Sequence, residues 1–307
     1  MTIRPIRSEE LEVYCALDNS GLADAVRTLW LDGRSSPDLC FVAEDGRRPV
    51  GRAFFHKGPS PASFGMFGMH IDPSVDFRET GMKLLTEALA RLAESGAACV
   101  SDDIYDIYEQ KPVEKQDLLE AVGFRQFQEK RRYVWSDPGV AVEVPARLEF
   151  RPLSVVGEDA FTAAVGRVTE GTLDRDDRAD VEKYGLDQAG WRYVAVLKEI
   201  ELLPQQWQLG FLPDGRLCGL VVPQRLPFED EGAINYIGVV PELRGSGYGF
   251  DLLMEGTAIL QRRGLKKVIA ETDVENRPFH AELERAGYKH KGTLRLFRCE
   301  LTHPAGG

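Results

Sequence analysis

At 307 residues, with 43% hydrophobic and 28% charged residues, the chain has the composition of an ordinary folded protein and the length of two domains rather than one. Its net charge of −11 excludes phosphate-backbone binding as the main task, because nucleic-acid affinity rests on clustered Lys and Arg; the same charge repels anionic membranes and tolerates cationic small molecules. No apolar run approaches the roughly 18 residues of a membrane span, and the scattered Cys15, Cys40, Cys99, Cys218 and Cys299 show neither CxxC spacing nor a His cluster. The expectation is a cytoplasmic protein with reduced thiols, no metal site, and no nucleic-acid or membrane partner.

In chain order, IRPIRSEEL near the start has an echo in FRPLSVVGED at 150 to 159, just after the Pro-containing stretch SDPGVAVEVPARLE, which reads as a linker or closing strand. FGMHIDPSVDFRETGMKLLTEALARLAESGA parallels INYIGVVPELRGSGYGFDLLMEGTAILQRRGL at 234 to 265. Each is a strand, a Pro, a charged loop and an amphipathic helix with a glycine, Gly96 or Gly264, just past its end. A β-rich run follows in each half, CVSDDIYDIY or KKVIAETDV, then a short helix closing on a Gly-aromatic pair, AVGF or RAGY. Two copies of one α+β (mixed α/β) unit, over 1–146 and 147–307, account for this register. The second copy carries an insertion around 170 to 191, read as either a helical lid or a longer solvated connection.

The sharpest motif is VVPELRGSGYGFDLL at 239 to 253, with Gly245, Gly247 and Gly249 between a strand and a helix. A helix start presents unpaired N–H groups and about half a positive charge, and alternating glycines let those groups converge on a phosphate while no Cβ holds it away. Arg244 adds a mobile cation at the rim. A tight turn alone needs one glycine. The P-loop fails for want of a Gly-Lys, and the dinucleotide fingerprint fails because Phe250 stands where its third glycine belongs.

Arg244-Gly245-Ser246-Gly247-Tyr248-Gly249 resembles the (Gln/Arg)-x-x-Gly-x-(Gly/Ala) signature of the GNAT superfamily of acyl-CoA-dependent N-acyltransferases, and ETDVENRPFHAELERAGY at 271 to 288 resembles that family's next motif. The resemblance spans about 149 to 303. It implies two tandem GNAT-like domains, each a twisted mixed sheet flanked by helices, and acetyl-CoA as acyl donor to an amine of a small molecule. It further implies two parallel strands that splay to admit pantetheine, with backbone groups at Val239 and Val240 pairing with it. Residues 244 to 249 would hold the pyrophosphate and Asn276 would lie beside the pantetheine arm.

The amine must attack in its neutral form. An amine of pKa near 10.4 is neutral about once in 2,500 molecules at pH 7, a cost of about 4.6 kcal/mol, so a base is required. Glu271 and Asp273, alternating onto one face of the second strand, are the candidate catalytic residues, with Glu231 and Asp230 as further carboxylates and His280 read as a surface histidine. The family's usual tyrosine acid falls at Leu283, and Ala233 offers no acid or base either. The first copy looks degenerate: Arg78 and Gly81 remain, but Lys83 replaces the last small residue and Glu79 falls where phosphate oxygens would lie. A non-catalytic acyl-CoA sensor or scaffold, and a protein or peptide N-acetyltransferase, stay open as alternatives.

Overall fold

The computed structural model describes residues 1–18, 21–58, 62–109, 111–226 and 231–301. The chain packs as two units, Met1–Phe127 with Arg295–Gly307, and Gln128–Leu294.

The first unit runs β1 (Thr2–Pro5), α1 (Leu11–Cys15), α2 (Leu22–Leu31), β2 (Cys40–Asp45), β3 (Arg48–Lys57), β4 (Ser63–Ile71), α3 (Phe77–Glu94), β5 (Cys99–Tyr105) and α4 (Pro112–Ala121). Its strands lie in the order β1-β2-β3-β4-β5. Period-two alternation divides the core: on β2, Phe41 and Ala43 join Leu84, Leu85 and Leu118 beneath α3 and α4. Cys40 and Val42 join Tyr14, Leu22 and Val26 on the opposite face.

The second unit begins with most of β6 (Arg125–Ser136) and continues through β7 (Glu149–Pro152), α5 (Leu153–Val156), α6 (Glu158–Thr169), α7 (Arg175–Tyr184), α8 (Leu186–Ile200), β8 (Gln208–Phe211) and β9 (Leu217–Arg225). It is completed by β10 (Gly232–Val239), α9 (Tyr248–Arg262), β11 (Lys267–Asp273), α10 (Arg277–Arg285) and the start of β12 (Lys289–Glu300). The strand order here is β12-β6-β11-β10-β9-β8-β7. Val221, Ile234, Leu252 and Val268 pack on the α9 face. Leu220, Val222, Phe161 and Trp207 pack on the α6 face.

The repeat boundary in the sequence and the packing boundary are different partitions. β6 belongs by sequence to the first copy, yet from residue 128 it pairs antiparallel with β11 over Lys267–Asp273. The last strand does the reverse: Phe297 and Cys299 lie in the first unit's core, and Leu301 N–H donates to Ala98 O at 2.8 Å. Among the described residues no helix is long and apolar enough to cross a membrane.

Candidate active site

β10 and β11 run side by side only where they begin. Gly232 faces Val268 and Ala233 faces Ile269 in parallel register, while β10 stays with β9 as far as Val239 and β11 stays with β6 as far as Asp273. Beyond Ala233 the two strands part, and backbone groups on both lips are left for another partner. Val240 N–H donates to Cys218 O at 2.9 Å, so the alternation of an antiparallel ladder turns the N–H groups of Val239 and Ile237 into the gap. Val240 differs from Val239: its N–H is held by Cys218 and its carbonyl already accepts from Leu243 N, so its N–H is not left for a pantetheine arm.

The glycine loop follows directly. Gly245 and Gly247 both have φ of 76°, a conformation that side-chain-bearing residues rarely adopt, and Gly247 is the N-cap of α9 without any side-chain cap. The N–H groups of Gly245, Ser246 and Gly247 donate to no acceptor among the described residues, and those opening α9 have no partner within the helix by geometry. Gly249 has an ordinary helical backbone, and a Cβ there would meet nothing within 4 Å. A glycine inside a helix costs about 1 kcal/mol relative to alanine. Neither strain nor packing explains it, whereas a ligand drawn close to the backbone does. The loop therefore fits a diphosphate.

Two arginines build the loop. Arg147 donates to Ser246 O (3.4 Å), Gly247 O (2.9 Å) and Asp251 Oδ1 (2.8 Å), and its guanidinium lies 4.9 Å from the centre of the Tyr248 ring. In trans peptides each carbonyl opposes the next N–H. Holding those two carbonyls thus aims the N–H groups of Gly247 and Tyr248 away from Arg147. The Asp251 hydrogen bond raises the pKa of Arg147. Arg244 is not the mobile cation that its place in the motif suggests. It donates to Val239 O (3.1 Å), Gly171 O (2.9 Å), Val168 O (2.9 Å) and Glu170 O (2.7 Å), binding the carbonyl end of α6 to the lip of β10.

A bulge reshapes that lip. The β9–β10 register shifts between Ile234 and Tyr236, so these residues, two apart, face opposite sides: Ile234 toward α9 and Tyr236 toward α6. Tyr236 OH lies 2.6 Å from Thr169 Oγ1, and its ring packs against that of Tyr193 on α8, centroids 4.6 Å apart and planes tilted by 43°. Tyr193 OH donates to Asp177 on α7. Asp177 is only 5% exposed; burial and then the neighbouring Asp174 push its carboxyl up to about 7. The segment around 170 to 191 is therefore neither a loose connection nor an exposed lid.

The opposite lip is tied to the same helix. Asp174, the N-cap of α7, accepts from Gln128 Nε2 (2.9 Å) and pairs with Lys130 (3.1 Å). Gln128 Nε2 also donates to Asp273 Oδ2 at 3.2 Å. Burial works against the Asp174 carboxylate, but Lys130 and Gln128 outweigh it and lower its pKa. α7 thus spans the parting, with Asp177 toward β10 and Asp174 toward β11 and β6.

Asp273 is buried, accepting from Gln128 and, at its other oxygen, from Glu275 N (2.9 Å). Glu271 pairs with Arg132 at 3.4 Å. Glu231 pairs with Lys267 at 3.0 Å, and Asp230 lies outside the described residues. Asn276 is the N-cap of α10, its side chain accepting from Phe279 N. His280 is buried rather than on the surface: Nε2 meets Asp273 O at 3.0 Å, and burial lowers its pKa. Leu283 is fully buried in the core, so that position supplies packing and no acid.

The first unit repeats the parting without the bare loop. β4 and β5 pair in parallel only at Ser63–Cys99, Phe64–Val100 and Gly65–Ser101. The N-cap of α3, however, is Asp76, whose carboxylate accepts from Glu79 N at 2.7 Å. Measured from the helix start, Asp76 corresponds to Gly247 and Arg78 to Gly249. The carboxylate in the cradle is therefore that of Asp76 rather than Glu79, and Arg78, Gly81 and Lys83 all lie within α3. Gly81 is a packing glycine, since a Cβ there would stand 2.4 Å from Leu118 Cδ2.

Comparison with known proteins places a family match in the second unit. Residues 182–288 match the acetyltransferase (GNAT) family, a stretch that holds the parted strands and the glycine loop but begins after Asp177. The chain is 33% identical over 89 residues to the mycothiol acetyltransferase of Arthrobacter sp. (strain FB24), an alignment covering 28% of either chain, so just over a quarter of that relative's length is matched. Its fold resembles a GCN5-related N-acetyltransferase from Sphaerobacter thermophilus, with a TM-score of 0.68 at 18% identity, covering 98% of this chain and 95% of that one. It also resembles a tandem GNAT protein from the clavulanic acid biosynthesis pathway, with a TM-score of 0.62 at 13% identity, covering 99% of both chains. Motif, parted strands and family match fall on the same residues: the segment 182–288 matches the acetyltransferase (GNAT) family, within a chain whose fold resembles that of a tandem GNAT protein.

Proposed function

We infer that the second unit is an acyl-CoA-dependent N-acyltransferase that moves an acetyl group directly from acetyl-CoA to an amine of a small molecule. The observation that carries this reading is Gly249, a helical glycine facing open space beside the undonated N–H groups of 245 to 247. Gly245, Ser246, Gly247, Tyr248 and Gly249 would hold the diphosphate, and the N–H of Val239 in the gap would meet the pantetheine arm or the thioester oxygen. Arg244 and Asn276 serve by fixing the two lips. The relative's name, mycothiol acetyltransferase, supports a small-molecule acceptor. The net charge of −11 argues against a nucleic-acid partner, and the five free cysteines suit a reducing cytoplasm. A thiol of pKa about 8.5 leaves without a dedicated acid, so the core leucine at 283 slows the reaction without forbidding it.

Gly249→Glu is the test. At this helical position the side chain brings no backbone strain and improves helix propensity, so thermal stability should hold or rise slightly. A carboxylate set against a diphosphate costs several kcal/mol, and acetyl-CoA affinity measured by calorimetry should fall by at least about 100-fold. Wild-type affinity in this variant would refute the assigned loop.

A further inference from the structure

Resting on that reading, the site still needs a group to take the proton from the acceptor ammonium. Asp273 has both carboxylate oxygens engaged, Glu271 is paired with Arg132, and Leu283 is apolar. The geometry points to Asp177 as the proton sink, reached through the hydroxyl of Tyr193, with Tyr236 as the positioning residue that fixes Tyr193 by ring-to-ring packing.

Four observations support the assignment. Tyr193 OH already donates to Asp177 Oδ1, and Tyr193 is partly exposed whereas Asp177 is buried, so the tyrosine is the member of the pair that reaches the surface. Thr169 Oγ1 donates to Val165 O at 2.7 Å, which leaves its oxygen to accept from Tyr236 at 2.6 Å and locks that ring. The bulge at Asn235 turns Tyr236 onto this face beside the gap, held by Asn235 Nδ2 donating to Gln224 Oε1 at 2.8 Å. Gln128, fully buried between Asp174 and Asp273, has an Oε1 without a hydrogen-bond partner among the described residues, a polar atom built to face a donor that the chain does not supply.

The groups facing Asp177 set its balance: Asp174 and Asp176 from α7 hold the proton on, while Tyr193 from α8 and Lys130 from β6 favour the carboxylate, as does Tyr236 from β10, with which Asp177 shares a hydrogen bond. Near neutral pH the carboxyl is therefore divided between its two forms. In the step itself an N–H bond of the ammonium breaks and its proton joins the Tyr193 oxygen as the phenolic proton passes to Asp177. The nitrogen keeps the electron pair and bonds the thioester carbonyl carbon; the C–S bond breaks with its pair on sulfur, and the second nitrogen proton ends on that sulfur. Asp177 then returns its proton to solvent.

The experiment uses the full chain, acetyl-CoA and a panel of small primary amines, following thiol release against pH. Wild type should show a kcat limb near pH 7. Asp177→Asn should lose about 100-fold in kcat and lose that limb, with acetyl-CoA affinity unchanged by calorimetry. Tyr193→Phe, which keeps the packed ring, should reproduce both losses, and it reads the same relay if Asp177→Asn does not fold. Asp177→Glu should restore part of the rate. Wild-type kcat and an unmoved limb in either Asp177→Asn or Tyr193→Phe would overturn the relay alone. A wild-type chain that neither binds acetyl-CoA nor transfers to any amine would overturn the underlying function and the relay with it.

Discussion

Asp177→Asn makes a second, independent prediction, about stability. Asp177 is a carboxyl lifted by burial from an ordinary value of 3.8 to about 7. Below pH 3.8 the folded and unfolded chains both carry the proton, and there is no penalty. Between about 4 and 7 the unfolded chain ionises while the folded chain keeps its proton, so folding loses about 1.4 kcal/mol per pH unit. Above 7 both are ionised and the loss levels off near about 4 kcal/mol. Asparagine preserves an acceptor for Tyr193 OH and removes the titration, at a fixed cost for its buried NH₂ that does not vary with pH. The difference in unfolding free energy between Asp177→Asn and wild type should therefore shift by about 4 kcal/mol in favour of the variant from pH 4 to pH 8. Urea denaturation at matched ionic strength across that range measures it. A difference that stays flat, or that grows toward acid, would refute the burial argument.

Arg147→Ala should leave Asp251 buried with neither oxygen bonded, since its Oδ2 already lacks a partner among the described residues. The expected cost is about 1 to 3 kcal/mol, toward the lower end because half of the arginine is in solvent, together with about tenfold weaker acetyl-CoA binding as the carbonyls of Ser246 and Gly247 come loose. Melting curves and calorimetry test the two halves; intact affinity would show that Arg147 does not set the loop. Acetyl-CoA should also bind once per chain, because the Asp76 carboxylate occupies the start of α3 where a phosphate would sit, and a calorimetric stoichiometry of two would contradict this.

The glycine loop was legible because its chemistry is local: three glycines, a strand before and a helix after specify a backbone without side chains. The parting of β10 and β11 was available only through the family resemblance, since nothing in either strand's composition distinguishes a ladder that ends after Ala233 from one that continues. Asp177 was hidden for a physical reason. RDDRADVEKY is polar on every side and reads as a solvated helix, yet Asp174 and Asp177, three residues apart, share a face that turns inward. Strict alternation along β10 would have grouped Ile234 with Tyr236, and the bulge at Asn235 breaks that parity; its one signal, Pro223 opposite Ile234, lies on β9 rather than on β10 itself. Arg147 sat in a stretch read as linker, and its partners lie about a hundred positions away. The exchange of β6 and the end of β12 between packing units left no trace, because an alternating strand carries no label for the sheet that it will join.

Two copies of one architecture in a single chain allow each local sacrifice to be judged against its counterpart. The first copy caps its central helix with Asp76, a bond worth about 1 kcal/mol. The second leaves Gly247 in that place with no cap, and sets Gly249 in the first turn at a further cost of about 1 kcal/mol. It also holds an aspartate whose burial costs up to about 4 kcal/mol at neutral pH. These losses are not scattered: the uncapped helix and the bare glycine meet one face of the gap between β10 and β11, and the buried carboxyl meets another. Drift would distribute such losses through the fold. Their concentration around one opening is what the proposed function requires: acetyl-CoA would bring a diphosphate to the loop and the acceptor an amine to the tyrosines, and the interactions that compensate for the losses would be made there.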